Sequence, residues 1–332
     1  LMEPAAFDEP TAAVQLIQTH ISWVFITDRC AYKVKKPVDL GFLNFTTLRR
    51  RHHYLHEELI LNRRLCPDIY LEVLPITLHR GLVRLGGPGH PLEYALKMVR
   101  LPQERMMDEV ADRGELRQEH LDRIIERLAP FYAQAATGPR VNKFGEPAVI
   151  AYNHEENFSA TEGLVGDLLS RERFEHIRGF ARSFLAQHRA LFLKRIREGR
   201  IRDCHGDLHM KNICLADQVY IFDCIEFNHR FRYGDVAADI DFLAMDLDFH
   251  GFRELSRYLV EHMSQASGDQ ELPVLLDFYK CYRACVRGKI AALGARDPGL
   301  APEARNQARE TAGAYFRLAG EYAQAGARHL VA

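Results

Sequence analysis

Through the first hundred positions apolar residues alternate with polar ones or gather in short β-branched and aromatic runs. Beyond that they mostly recur at three- and four-residue spacing. Ile21–Thr27 and Cys30–Lys35 read as two strands around an Asp28-Arg29 turn. A helix is predicted over 46–65. Thr46 or Thr47 caps it, and Leu48, Leu55, Leu59, Leu61 and Leu65 supply its apolar positions. Strands follow at 70–76, 81–85 and 92–99, and Pro102 ends regular pairing. The segments 115–136, 157–198, 252–266, 272–293 and 302–325 carry helical spacing, punctuated by Pro130, Pro273 and Gly294. Asn142–Tyr152, polar and marked by Gly and Pro, reads as a loop. The pattern predicts an α+β chain: an N-terminal lobe, 1–101, of antiparallel sheet plus a helix, and a larger, mainly helical C-terminal lobe, 102–332.

Composition narrows the class of protein. The 332 residues are 47% hydrophobic and 27% charged, which excludes a disordered chain. With 44 basic and 45 acidic residues the net charge is -1, so no global field recommends nucleic acid or an anionic membrane. No apolar run reaches transmembrane length, and the start lacks a basic region followed by an apolar one. The seven cysteines contain no C-x-x-C pair and fit a reduced, cytoplasmic thiol set.

The chemistry concentrates at His205-Gly206-Asp207-Leu208-His209-Met210-Lys211-Asn212, followed by Val219-Tyr220-Ile221-Phe222-Asp223. These match the catalytic loop H-x-D-x-x-x-x-N and the metal-binding Asp of kinase-type phosphoryl transfer. Asp207 is expected beside the attacking hydroxyl as the base. Asn212 and Asp223 are expected to hold Mg²⁺ against the phosphates of ATP.

Cys30-Ala31-Tyr32-Lys33 has the shape of the kinase strand whose lysine grips the nucleotide phosphates. Lys33 is favoured; Lys35, two residues on and on the same face, competes for the role. An acid of the 46–65 helix should orient this lysine: Glu58, with Leu61 and Leu65 continuing its stripe, or else Glu57. No G-x-G-x-x-G precedes the strand lysine, so the phosphate cover falls to Thr19–Ser22, with Ser22 offering hydroxyl and backbone N–H. The hinge between the lobes is placed at Met98–Leu101. Its backbone would meet an adenine edge, with Met98 or Val99 against the ring and Leu101 closing the segment.

HGDLHMKN, IFDCIEF and GDVAADI together resemble hallmarks of the aminoglycoside phosphotransferase / choline kinase superfamily. THISWVF, YKVKKPVDLGFLNF and HEELILNRRL resemble an uncharacterised bacterial branch of aminoglycoside phosphotransferase-family proteins. The resemblance implies a bilobal protein-kinase-like fold. It implies Asp207 as base, Asn212 and Asp223 on Mg²⁺ and Lys33 on phosphate. Glu226 matches an acid that follows the metal Asp and aids metal or substrate. Asp239 matches a helix-start Asp that braces the loop near His205. Some members of that branch carry a further P-loop ATPase domain; this chain has no G-x-x-x-x-G-K-[ST], and none is expected in its 332 residues. Met210 stands where many members have Pro.

The expected activity is ATP-dependent transfer of the γ-phosphoryl group to a hydroxyl of a small-molecule acceptor. The alternative is a nucleotide-binding pseudokinase without turnover, against which the retained Asp207, Asn212, Asp223 and Lys33 argue. No A-P-E activation segment follows Asp223, which disfavours a regulated protein kinase. Asp235, Asp239, Asp241, Asp246 and Asp248 suit a cationic acceptor, a marginal favourite. Tyr279, Arg283 and Arg287 on one helix face suit an anionic one, and pairing of the two sets with each other would serve neither. The sequence sets no oligomeric state.

Overall fold

The computed structural model describes residues 1–297 and 299–331, the side chains of 329–331 aside. In chain order the strands are β1 (Gln15–Gln18), β2 (Ser22–Ile26), β3 (Cys30–Lys35), β4 (Tyr70–His79), β5 (Leu82–Leu85), β6 (Pro91–Val99), β7 (Ile201–Asp203), β8 (Ile213–Leu215), β9 (Val219–Ile221) and β10 (Tyr233–Asp235). The helices are α1 (Leu48–Asn62), α2 (Met107–Asp112), α3 (Gln118–Gln134), α4 (Pro139–Asn142), α5 (Pro147–Thr161), α6 (Arg171–Gln187), α7 (Arg189–Arg197), α8 (His229–Arg232), α9 (Val236–Phe249), α10 (Arg253–Ser267), α11 (Leu272–Ala295) and α12 (Pro302–Val331). Two compact units result: 1–115 with 211–232, and 116–210 with 233–332. Segment 211–232, expected in the C-terminal lobe, clusters with residues 1–115.

The first unit is built on a six-stranded antiparallel sheet of order β1-β2-β3-β6-β4-β5. Strand alternation gives β3 two faces. Cys30, Tyr32 and Val34 join Phe7, Ile76, Leu85 and Ala95 in a core on one side. Lys33 and Lys35 leave the other side toward α1, whose first turn is closed by the Thr47 hydroxyl accepting from Arg50 N–H. The small β8–β9 hairpin belongs to this unit.

The second unit is helical apart from the β7–β10 ladder. Its central helix, α9, is buried around almost its whole circumference from Val236 to Leu247. Phe174, Phe192, Phe242, Phe278 and Phe316 fill the surrounding core. α11 and α12 approach closely because Gly288 lies against Phe316; a Cβ there would stand 2.9 Å from the ring.

Two expectations need correcting. Asn142–Tyr152 is no loop: α5 starts at Pro147, since proline at the first helical position loses no hydrogen bond and has its φ preset. The predicted 157–198 helix is three pieces. It breaks over Glu162–Ser170, where Gly166 takes φ +91°, and resumes when the Ser170 hydroxyl caps α6. The sequence pattern does not predict β1, because its four residues, Leu16-Ile17 between two glutamines, give no period-two alternation. All seven cysteines are buried, with no disulfide among the described residues. None of the described helices is long and apolar enough to cross a membrane.

Candidate active site

In the first unit, a linear chain of alternating charge runs from β3 to the end of β9. Lys33 Nζ lies 2.7 Å from Glu58 Oε1 and 2.6 Å from Asp223 Oδ1. The other Glu58 oxygen, Oε2, is 2.7 Å from Lys35 Nζ, and Lys35 Nζ is 2.5 Å from Glu226 Oε1. Lys35 and Glu58 are fully buried, whereas the Asp223 side chain keeps 44% of its surface exposed. Burial by itself would raise the Glu58 carboxyl; Lys33 and Lys35 together override it and hold it at about 2. Burial would likewise lower the two ammoniums, and the acids around them hold both above the ordinary lysine value. Glu226 sits above its usual range, because burial and the Glu58 charge outweigh Lys35.

The segment after β9 is held by α1 and β4. Asp223 adopts φ +63°, a left-handed conformation that Asp tolerates better than most residues. Its N–H donates to the Tyr70 hydroxyl at 3.1 Å. The next N–H, of Cys224, donates to Asn62 Oδ1 at 2.9 Å, and Asn62 Nδ2 donates in turn to the Glu58 carbonyl at 2.9 Å. Asn212 and Phe222 face each other at the mouth of the hairpin, Phe222 N–H donating to the Asn212 carbonyl at 3.0 Å. The hairpin therefore presents Asn212 and Asp223 at the same end.

Other expected residues of this unit are placed as follows. Glu57, the alternative to Glu58, is not part of the lysine network; Glu58 is. Ser22 is fully buried opposite Lys35 in the ladder, and its hydroxyl has no hydrogen-bond partner among the described residues. The N–H groups of Ile21 and Ser22 both donate to the Thr19 hydroxyl. Met98 and Val99 pair with Ala31 and Cys30; Val99 N–H donates to the Ile69 carbonyl at 2.9 Å and Arg100 N–H to the Arg29 carbonyl at 2.8 Å. Leu101 follows at the end of β6, half-buried. Lys211 is exposed.

In the second unit, Asp239 at the start of α9 accepts the backbone N–H groups of His205 at 2.7 Å and Gly206 at 2.9 Å. Tyr132 OH also donates to it, and Arg283 spans from near Asp239 to the Gly206 and Ala238 carbonyls. Asp246 accepts Met210 N–H at 3.0 Å. Asp207, carried on the loop so fixed, is partly exposed and lies 3.3 Å from His209 Nε2. Burial would raise its carboxyl; His209, Arg287 and His205 override that and hold it well below the usual range. His209 lies inside the motif at a position that H-x-D-x-x-x-x-N leaves unspecified, so the motif gives no signal for it.

The acidic segment does not open outward. Asp235 forms a bidentate pair with the fully buried Arg195, whose remaining donors go to Asp269. Asp239 and Asp246 serve the loop backbone. Asp248 takes Lys280 at 2.8 Å and the Tyr322 hydroxyl at 2.6 Å. Asp241 is buried and raised well above the ordinary carboxyl value, by burial first. The acidic segment therefore offers no open carboxylate face to a cationic acceptor. Of the opposing stripe, Tyr279 is buried, Arg283 braces the loop, and Arg287 packs its guanidinium over Tyr315 with its charge bearing on Asp207 and Asp246.

A search of solved structures shows the same fold in kinases of small molecules. A choline/ethanolamine kinase family protein from Mesorhizobium loti matches over 97% of this chain and 95% of that one, with a TM-score of 0.52 and 12% identity. A microcompartment-associated aminopropanol kinase matches over 98% and 97%, with a TM-score of 0.53 and 13% identity. The chain therefore shares the kinase-like α+β fold of these structures. In sequence it is similar to uncharacterised proteins of Mycobacterium tuberculosis and Mycobacterium bovis, 33% identical over 285 residues. That match takes in 85% of this chain and 55% of each relative, so the chain spans about half the length of the curated relatives it matches. No family model matches the sequence.

Proposed function

We propose that the protein is an ATP- and Mg²⁺-dependent phosphotransferase acting on a hydroxyl of a small-molecule acceptor. The observation that carries this reading is the Lys33 ammonium shared between Glu58 and Asp223, the arrangement a kinase-type site needs to grip phosphates beside a metal. The two residues offered to the cation each carry a hard oxygen ligand, the Asp223 carboxylate and the side-chain carbonyl of Asn212. Hard divalent cations such as Mg²⁺ take one or two such protein donors and complete their shell with water and substrate phosphate. When bound, the ion would supply electrostatic stabilisation of the charge developing on the transferring group.

The residues then divide the work. Lys33, oriented by Glu58, holds phosphate oxygens. Asn212 and the strained Asp223 hold the cation. Leu101, with Met98 and Val99, lines the place of the adenine edge. Asp207, its carboxyl held low by His209, Arg287 and His205 against burial, accepts a hydrogen bond from the acceptor hydroxyl and orients its lone pair. Its weak basicity suits a loose transition state, in which the proton leaves late. Asp239 and Asp246 keep the loop backbone in place.

Thermal shift tests the proposal. Mg·ATP at ~100 times its Kd should stabilise the fold by about 2.7 kcal/mol. No Mg²⁺-dependent shift with any nucleoside triphosphate would end this reading. A shift with no phosphoryl transfer in a broad screen of metabolite hydroxyls would favour the pseudokinase instead.

A further inference from the structure

We infer that Lys35 is a positioning residue of the phosphate grip, acting through Glu58 and anchored by Glu226. The inference rests on the phosphotransferase reading above and adds a residue to it.

A Lys–Glu pair alone fixes little. A glutamate holding one lysine through one oxygen can still rotate its carboxylate plane. Here Glu58 is held at both oxygens, by Lys33 on Oε1 and Lys35 on Oε2, each at 2.7 Å. The two lysines leave the same face of β3, about 7 Å apart along the strand, and the carboxylate bridges them. Asp223, on the far side of Lys33, pulls that ammonium the other way at 2.6 Å. Without Lys35, Glu58 has no counterweight to that pull within the network.

Lys35 is itself costly to bury, being fully buried and 4.8 Å from the centre of the Phe45 ring. A second carboxylate, Glu226 at 2.5 Å, makes its charge tolerable and fixes its end. This assigns Glu226 to the lysine network; its side chain is 4% exposed. Reading along the chain, Asp223, Lys33, Glu58, Lys35 and Glu226 alternate in sign, so neutralising one member moves the next.

The alternative is that Lys35 merely neutralises Glu226 inside the fold. Affinity for Mg·ATP compared with affinity for adenosine separates the two, because Lys33 meets only the phosphates. Measurements use the full chain with Lys35→Met, Glu226→Gln, the charge-balanced double variant Lys35→Met/Glu226→Gln, and Lys33→Met as reference. The expected result is that Lys35→Met loses tenfold or more in Mg·ATP affinity and keeps its adenosine affinity. Glu226→Gln should lose less. The double variant should recover urea resistance relative to Lys35→Met but not Mg·ATP affinity, and it serves as the test by itself if Lys35→Met fails to fold. Recovery of Mg·ATP affinity in the double variant, or its retention in Lys35→Met, would overturn the inference. If the wild type shows no preference for Mg·ATP over adenosine, or Lys33→Met leaves that preference intact, the phosphotransferase reading is at fault and the role of Lys35 falls with it.

Discussion

The Lys33 ammonium lies 2.6 Å from the Asp223 carboxylate, joining residues 190 positions apart. A bound nucleotide with its cation would draw the two ends apart, phosphate to Lys33 and cation to Asp223. Asp223→Ala is therefore predicted to weaken Mg·ATP binding and to abolish transfer. Asp207→Ala should leave Mg·ATP binding near the wild-type value while transfer falls by about 10²–10⁴, the usual contribution of a positioned base. Calorimetric titration with Mg·ATP and a transfer assay distinguish them; equal losses of binding in both variants would contradict the division of roles.

Asn62 ties α1 to the backbone beside Asp223, through Cys224 N–H. Asn62→Ala leaves a buried donor without its acceptor, a loss of about 1–3 kcal/mol. The predicted outcome is a lower urea midpoint together with weaker Mg·ATP binding. Tyr70→Phe, which removes the acceptor for Asp223 N–H, should move in the same direction. Unchanged nucleotide affinity in both variants would show that the segment keeps its conformation without them.

His154 is buried against Phe278 and Tyr282, with ring centroids 4.7 and 4.6 Å away. Burial depresses it from 6.5 to about 3. The folded pKa lies below the unfolded one, so its contribution is complete above pH 6.5 and is lost as pH falls toward 3. Over that window only the unfolded chain takes up this proton, and stability drops by up to ~1.4 kcal/mol per pH unit from this group. His154→Phe should flatten the slope of unfolding free energy against pH by about that amount. An identical slope in wild type and variant would show that His154 titrates normally in the fold.

Arg195 is fully buried between Asp235 and Asp269. Arg195→Met leaves Asp235 without its cation and Asp269 with only Arg200, 3.9 Å away, and is predicted to destabilise by about 3–5 kcal/mol, read from urea unfolding. Asp235→Asn should also destabilise, yet leave the KM for an identified acceptor unchanged. A selective rise in that KM, without loss of stability, would return the acidic segment to the acceptor site.

The sequence by itself determined what is local. The spacing of Asp207, Asn212 and Asp223 is set by one loop and one short hairpin, so contiguous residues suffice to read it. The period of β3 put Lys33 and Lys35 on a common face, and the stripe of α1 favoured Glu58 over Glu57. It misread Pro147 as loop punctuation, because proline both ends one helix and starts the next. Tertiary structure decided how charges far apart in sequence are matched. Whether Lys33 or Lys35 takes Glu58 had no answer in the strand pattern; both do, and Glu226, 191 residues beyond Lys35, makes that possible. The five aspartates from Asp235 to Asp248 look in sequence like an acidic surface. They are enclosed because α9 is covered on nearly all sides, and four of them find donors, Arg195 for Asp235, loop N–H groups for Asp239 and Asp246, Lys280 for Asp248, whereas the Asp241 carboxylate has no hydrogen-bond partner among the described residues and burial raises it well above the ordinary value. Burial is a property of what packs around a helix, and that is settled only when the whole chain has folded.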